Sequence, residues 1–420
     1  MASIRLRRRQ PYRRVTAPRS GPKKQIDFIC WDADAERMRV LFVSVPGLGH
    51  VQPMLPLAKA CQAAGHAVLW ATGGESCGSV EQRGIPTVSV GLVGTGVPEY
   101  RRRYPEAASL KGEDIAAYMF PRMFGKIYAP PMAEELLGPA REWAPDLIVH
   151  DAATLAGPLV AAVLGIRHVT HSFGDAVPPQ RLGEAAHEVA PLWEAAGLEA
   201  PMFAGNGQYL YINIFPASLQ PELPDYIRRS QYLRPVALDA VPGDALPTSF
   251  PRLGSQPLIY LTLGTVFADP TVLRTAAEGI AALGVRLVVT VGPSGDPAAV
   301  GDLGRDVLVE RYIPQALVLG HCAAVVSHGG SGTFLASLAQ GLPQVFLPQA
   351  ADQFRNAARC AEVGAGINLG PGKSDGERVG AAVARILAED SFRRASRTLE
   401  AEVAAMPAPE EVVRLLEAAA

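Results

Sequence analysis

The chain has 420 residues, 48% hydrophobic and 19% charged, which is enough apolar material for two or three domain cores and too much for a largely disordered chain. A formal net charge of −2 argues against a general nucleic-acid binder, yet it sums two unlike parts: residues 1–37 carry ten Lys/Arg against four Asp/Glu, and the rest is net negative. No 18 consecutive residues are apolar, so no membrane-spanning helix is expected.

Met1–Lys24 holds nine basic residues and no acid, with no apolar run behind it, so a secretory signal is not expected there. Residues 1–37 read as a basic, disordered extension, with a basic arm or a transit peptide as the alternatives. The five cysteines are odd in number and lack metal-type spacing, which suits a reducing cytoplasm. Met38–Val45 is a continuous apolar run, the mark of a strand buried on both faces. A tight loop, Pro46–His50, leads into a helix ending near Gly65, with Pro53 in its first turn. Further strands are expected at His66–Thr72, Thr87–Leu92, Asp146–His150 and Ile166–His171, with a helix from after Ala153 to about Leu164. Residues 93–145 and 174–210 have weak periodicity and scattered aromatics, and are expected as long loops or irregular helices over a pocket.

Residues 235–253 hold four prolines and little periodicity, and are expected to link two domains. Beyond them a second strand series begins: Leu258–Leu263, Arg286–Val291, Val307–Glu310, Ala323–Ser327, Gln344–Leu347 and Ile367–Leu369. Helices are expected at Ser331–Gln340 and Gln353–Val363, and the last 30 residues read as helix broken by Pro407 and Pro409. The alternation predicts an α/β chain of two doubly wound, Rossmann-like domains facing across a cleft. The first spans residues 38–234 and the second 254–420.

Three segments carry chemistry. His50 follows the first strand at the start of a helix, where doubly wound proteins place ligands, and an imidazole there can act as a general base. Asp151, just past a strand end, is the carboxylate expected to orient it. Gly47-Leu48-Gly49 is followed by His50, Val51, Gln52 and Pro53, which departs from the G-x-G-x-x-G dinucleotide fingerprint, so a nicotinamide cofactor is not expected. The third segment is His328-Gly329-Gly330-Ser331-Gly332-Thr333, which opens a helix after a strand and offers an anion several backbone N–H groups and a helix dipole. Tyr312-Ile313-Pro314-Gln315 lies upstream and Asp352-Gln353 downstream. Taken alone the glycine turn fits an ordinary helix cap; the ordered set is what points to a site.

These residues resemble the family-1 glycosyltransferases with the GT-B fold, in particular actinobacterial enzymes that glycosylate natural products. The resemblance runs from about Met38 to the C-terminus. It implies that His50 is the catalytic base and Asp151 its supporting carboxylate. It also implies that Tyr312, Ile313 and Gln315 hold the nucleotide base. His328, Gly329, Gly330, Ser331, Gly332 and Thr333 would hold the diphosphate, facing Gly264 and Thr265. Asp352 and Gln353 would bind sugar hydroxyls. Many members that use UDP-sugars place a Glu three residues beyond the Ser/Thr of the signature to bind ribose hydroxyls, and here that position is Ala336. A dTDP-sugar is therefore the expected donor, with UDP-glucose the alternative.

The resemblance implies an inverting, metal-independent transfer with no cofactor. The acceptor is expected to be a hydrophobic aglycone of polyketide, macrolide or enediyne type. Phe120, Phe124, His171 and Phe173 are the candidate acceptor contacts, with Tyr118, Met119, Met123, Trp193 and Phe203 as further apolar candidates. Neither nucleic acid nor membrane is expected as a partner; a homodimer or a helper protein is left open. A nucleotide-sugar epimerase or hydrolase and a catalytically silent nucleotide-sugar-binding subunit are the competing readings.

Overall fold

Apolar runs with no polar face must be covered on both sides, and in the computed structural model they become strands at the centre of two wholly parallel sheets. The structure describes residues 37–237, 240–250, 256–264, 269–293, 295–370 and 375–419. The expected extension at 1–37 lies outside them but for its last residue.

β1 (Arg39–Val43) runs through α1 (Leu48–Val51) and a 3₁₀ turn into α2 (Leu55–Ala63). β2 (Ala67–Thr72), α3 (Gly74–Glu81) and β3 (Thr87–Ser89) follow. Residues 97–143 are then almost continuously helical: α4 (Val97–Arg103), α5 (Glu113–Phe120), a π-helical stretch (Pro121–Tyr128) and α6 (Ala129–Trp143). After them come β4 (Leu147–Asp151), α7 (Ala156–Leu164), β5 (Arg167–His171), the long α8 (Pro179–Ala195), β6 (Leu210–Asn213) and β7 (Ser230–Tyr232). The sheet order is β3-β2-β1-β4-β5-β6-β7.

The second sheet alternates β8 (Leu258–Thr262), α9 (Pro270–Ala281), β9 (Arg286–Thr290), β10 (Val307–Glu310), α10 (Gln315–Val318), β11 (Ala324–Ser327), α11 (Ser331–Leu338), β12 (Gln344–Phe346), α12 (Gln353–Glu362) and β13 (Gly366–Asn368). Its order is β10-β9-β8-β11-β12-β13. α13 (Gly376–Ala388), α14 (Asp390–Ala405) and α15 (Pro409–Ala419) close the chain. Among the described residues no helix is long and apolar enough to cross a membrane.

Residues 93–145 and 174–210, expected as long loops or irregular helices, are largely helical, and α6 and α8 carry Pro139 and Pro191 within them. Proline removes one backbone bond and reads as a breaker, but burial of Leu136, Ala140, Val189 and Trp193 on the inner faces of these helices outweighs it. β6 and β7 were also not expected. They are short, and β7 is a sheet-edge strand without an apolar run.

On one face of the first sheet Val40, Phe42 and Trp70 pack with Leu55 and Leu57 of α2 and with Val412 and Leu416 of α15. On the other, Leu41, Val43 and Ile148 meet Met132 and Leu136 of α6 and Val160 of α7. Burying each such side chain contributes roughly 1.5–3 kcal/mol. The first cluster continues into the second sheet's layer, where Phe215 stacks on Phe334 of α11 with ring centroids 5.7 Å apart. The chain thus returns from α14 so that α15 covers α2, and the Arg234 amide donates to the Pro407 carbonyl at 2.8 Å.

Sheet order reverses between β1 and β4 and again between β8 and β11. At such points adjacent connections leave on opposite faces and open a crevice at the strands' carboxyl ends. Four of the candidate residues named above leave from these ends: His50 after β1, Asp151 at the end of β4, Gly264 after β8 and His328 after β11.

Candidate active site

His50 lies inside α1 rather than in the loop before it. Gly47, with φ of 123°, turns the chain out of β1, and its carbonyl accepts from the His50 and Val51 amides. The turn delivers the imidazole to Asp151, with Nδ1 at 3.2 Å from Oδ1. The ring sits between Phe173 and Phe124, at centroid distances of 4.8 and 5.4 Å. With Nδ1 on the carboxylate, Nε2 is the nitrogen left for the cavity that His50 lines.

Asp151 is the last residue of β4 and fully buried. Burial alone pushes a carboxyl upward, but the His50 ring, the Thr154 hydroxyl and the Ala153 amide (2.7 Å) hold this one below its ordinary value. The Val45 amide adds a fourth contact at 3.2 Å. It is a carboxylate fixed from all sides, so it orients the His50 ring without moving itself.

Facing this pair across a cavity of about 360 Å³ is the glycine turn before α11. Gly330, Ser331, Gly332 and Thr333 line it, together with His328. Burial pushes His328 down to about 4, so the ring is neutral at pH 7, and its buried Nδ1 has no hydrogen-bond partner. Gly264, with φ of 79°, passes so close that a Cβ would come 2.6 Å from His328 Cε1. Gly329 stands behind the wall, where a φ of 83° and contact with Phe346 shape the turn. Thr265 lies outside the described residues.

Tyr312 and Gln315 line the cavity, and the Gln315 amide donates to Thr333 Oγ1 at 2.7 Å. The Ile313 side chain does not reach the cavity. It is buried with Phe250, Leu258 and Tyr260, which leaves only its backbone for a ligand. Asp352 caps α12; Ser331 Oγ and Asn356 Nδ2 both donate to its Oδ2. Its proton affinity is raised by burial and by neighbouring Asp175. Gln353 is partly committed to the fold: its Oε1 accepts from the Gln349 and Ala350 amides at 2.8 and 2.9 Å, holding a turn in which Ala351 takes a φ of 57°.

Phe120, Phe124 and Phe173 form the apolar wall with Met119 and Met123. His171 does not belong to that wall. It is fully buried beside Asp151 in the sheet, its Nδ1–H donating to the Ser172 carbonyl at 2.6 Å. A strand's last residue points to one face only, and at β5 that face is the core. Tyr118, Trp193 and Phe203 likewise stay off the cavity. Among the described residues no three His, Cys, Asp or Glu side chains converge as metal ligands.

Several lining residues escaped the sequence. Tyr260, Thr262 and Thr290 project from β8 and β9, with Tyr260 Oη 2.7 Å from Thr290 Oγ1. The signal was present as polar side chains two apart in an otherwise apolar strand. Pro235–Ala237 of the linker also line the cavity, as do Asp175, Arg181 and Arg355, whose roles depend on the packing of distant segments.

The chain is similar to known proteins along most of its length. The model of the erythromycin biosynthesis protein CIII-like N-terminal domain matches residues 59–222, and that of the C-terminal domain matches residues 276–419. The L-demethylnoviosyl transferase of Streptomyces niveus is 34% identical over 390 residues, covering 91% of this chain and 98% of the relative. The glycosyltransferase SsfS6 of Streptomyces sp. SF2575, solved with thymidine diphosphate, superposes with a TM-score of 0.74 at 29% identity, over 91% of this chain and all of that one. The spinosyn rhamnosyltransferase SpnG, solved with spinosyn aglycone, superposes with a TM-score of 0.75 at 28% identity, over 90% of this chain and all of that one.

Proposed function

The chain belongs to the erythromycin biosynthesis protein CIII-like family of natural-product glycosyltransferases, with the GT-B fold, and we propose that it moves a deoxysugar from dTDP to a hydroxyl of a hydrophobic polyketide-type aglycone, inverting the anomeric carbon. The observation that carries this reading is one cavity with a carboxylate-held imidazole on one wall and a neutral, unpartnered His328 beside a glycine-rich helix start on the other.

In this reading His50 Nε2 takes the proton of the acceptor hydroxyl as its oxygen attacks, and Asp151 stabilises the imidazolium that forms. The departing diphosphate gathers charge where the backbone N–H groups before α11, His328 and Thr333 can donate to it. Those groups meet the charge of the leaving group, so the reaction calls on no cofactor. Asp352 keeps Oδ1, and Gln353 keeps its amide N–H groups, for sugar hydroxyls. Phe120, Phe124, Phe173 and the two methionines give the aglycone an apolar seat and exclude water from the base.

The donor follows from Ala336, which lines the cavity and packs against the buried cluster that holds Ile313, Tyr260 and Leu342. It offers no acceptor to a ribose 2′-hydroxyl, which dTDP lacks and UDP would leave unmatched. Thermal denaturation with dTDP or UDP at equal concentration tests this: dTDP is expected to raise Tm more, and a clear UDP preference overturns it. A panel of polyketide aglycones assayed with a dTDP-deoxysugar tests the transfer. No product with any donor, alongside intact dTDP binding, would instead favour the silent subunit.

A further inference from the structure

Nothing in the transfer mechanism explains how base and donor, carried on different sheets, are kept at a working distance. The connection after β5 runs straight between them. Its anchors lie on β6 and the segment that follows it: the Ser172 amide donates to the Ile212 carbonyl, Ser172 Oγ accepts from the Ile214 amide, and the Ala176 amide donates to Gln220 Oε1. Three consecutive residues then face three different partners. Phe173 packs on the His50 ring. Gly174 lies so close to the donor side that a Cβ there would collide with Ser331 and approach Asp352 Oδ2 to 3.3 Å. Asp175 is almost fully buried and accepts from Arg355 Nε (2.8 Å), Arg355 Nη2 (2.9 Å) and Arg359 Nη1 (3.0 Å), all on the helix that begins at Asp352–Gln353. Arg355 also reaches Glu113 of α5 at 3.5 Å, and Glu113 pairs with Arg181 of α8.

We propose that Phe173-Gly174-Asp175 is a positioning bridge that sets the distance between the His50 base and the Asp352–Gln353 donor-sugar site, with Arg355 as its counterpart on α12. This rests on the transferase reading above. Each component has its own physical reason. A planar guanidinium held bidentately by a buried carboxylate has little rotational freedom, so it defines a position as well as an attraction. A glycine between the two contacts allows backbone to approach side chain where any other residue would push the sheets apart. Because Glu113 and Arg181 belong to the helices around the apolar wall, the same guanidinium ties the acceptor side to the donor side. Bringing two reactants into register supplies a large part of the barrier reduction in a two-substrate displacement, and small misplacements are costly.

The test compares the full chain with Asp175→Asn, Asp175→Glu and Gly174→Ala, on an aglycone the wild type glycosylates with a dTDP-deoxysugar. The dTDP affinity is measured by calorimetry and the radius of gyration by small-angle scattering. In Asp175→Asn and Gly174→Ala, kcat is expected to fall about ten- to a hundredfold. In Asp175→Asn, affinity for dTDP alone is expected to stay within about twofold, because Asp175 is bonded to Arg355 and Arg359 and not to the glycine turn, His328 or Thr333. The radius of gyration is expected to increase, and Asp175→Glu to recover part of kcat. Wild-type kcat in Asp175→Asn, or a loss of dTDP binding in step with kcat and Tm, overturns the proposal. If the wild type transfers to no aglycone, the functional reading fails, while an unchanged radius of gyration in Asp175→Asn and Gly174→Ala would independently refute the bridge.

Discussion

At the scale of single residues the site is built from groups whose charge is set by their surroundings. Asp151 keeps its charge in full burial because two backbone amides, a hydroxyl and an imidazole face it. Asp151→Asn preserves the shape but puts an amide, which is neutral and can donate, against His50 Nδ1. The ring then loses both its fixed tautomer and the partner for its charged form. Transfer kcat is expected to drop about 10²- to 10⁴-fold with dTDP affinity unchanged, as steady-state kinetics and calorimetry can show. His50, Asp151, His328 and Asp352 were all legible in the sequence because each stands beside a strand end or a helix start. His171 was misassigned for a related reason: a residue at a strand end faces either core or cleft, and the alternation that decides it is erased when both faces are buried.

At the scale of elements, α11 presents the site with one face. Ser331 and Thr333 begin it, and Ala336 lies about a turn further on against the same cavity. Ala336→Glu adds an acceptor at that spacing while leaving the helix start intact. Competition calorimetry is expected to show the dTDP-to-UDP preference falling by about tenfold, the value of one charge-assisted hydrogen bond in a partly buried site. The strands other than β6 and β7, and the helices α2, α7, α11 and α12, could be read from apolar runs and from the glycines and prolines around them. α6 and α8 could not, because each has an internal proline and takes its stability from tertiary packing, α6 against the first sheet and α8 against the apolar wall, rather than from local propensity. The π-helical stretch from Pro121 to Tyr128, which carries Met123 and Phe124 to the cavity, likewise has no local signal.

At the scale of the whole molecule, four histidines are buried and held neutral. His150, His171 and His328 are pushed down to about 4 and His168 to about 3, in each case chiefly by desolvation. The unfolded chain takes up their protons near pH 6.5, and the folded chain does not until about pH 4 or below. Folding stability is therefore complete above about pH 6.5 and is lost as pH falls through that window, by at most about 1.4 kcal/mol per unit for each histidine. Asp352, whose proton affinity is raised, offsets a small part of this loss. Tm measured from pH 8 to 4 is expected to be flat at first and then to fall below about 6.5; a flat profile to pH 4.5 would contradict it.

What local pattern supplied is the inventory: two strand series, a histidine and an aspartate beside strand ends, and a glycine turn that opens a helix. Strand burial, helix starts and turn glycines are properties of neighbours in sequence, so they can be read along the chain. Assembly decided the rest. Sheet order placed the first and fourth strands side by side and brought together His50 and Asp151, which lie far apart in sequence. Packing between the sheets set Asp175 against Arg355, turned His171 inward and drew the linker into the cavity wall. These are contacts between distant segments, governed by which faces must be buried together, and no spacing along the chain encodes them.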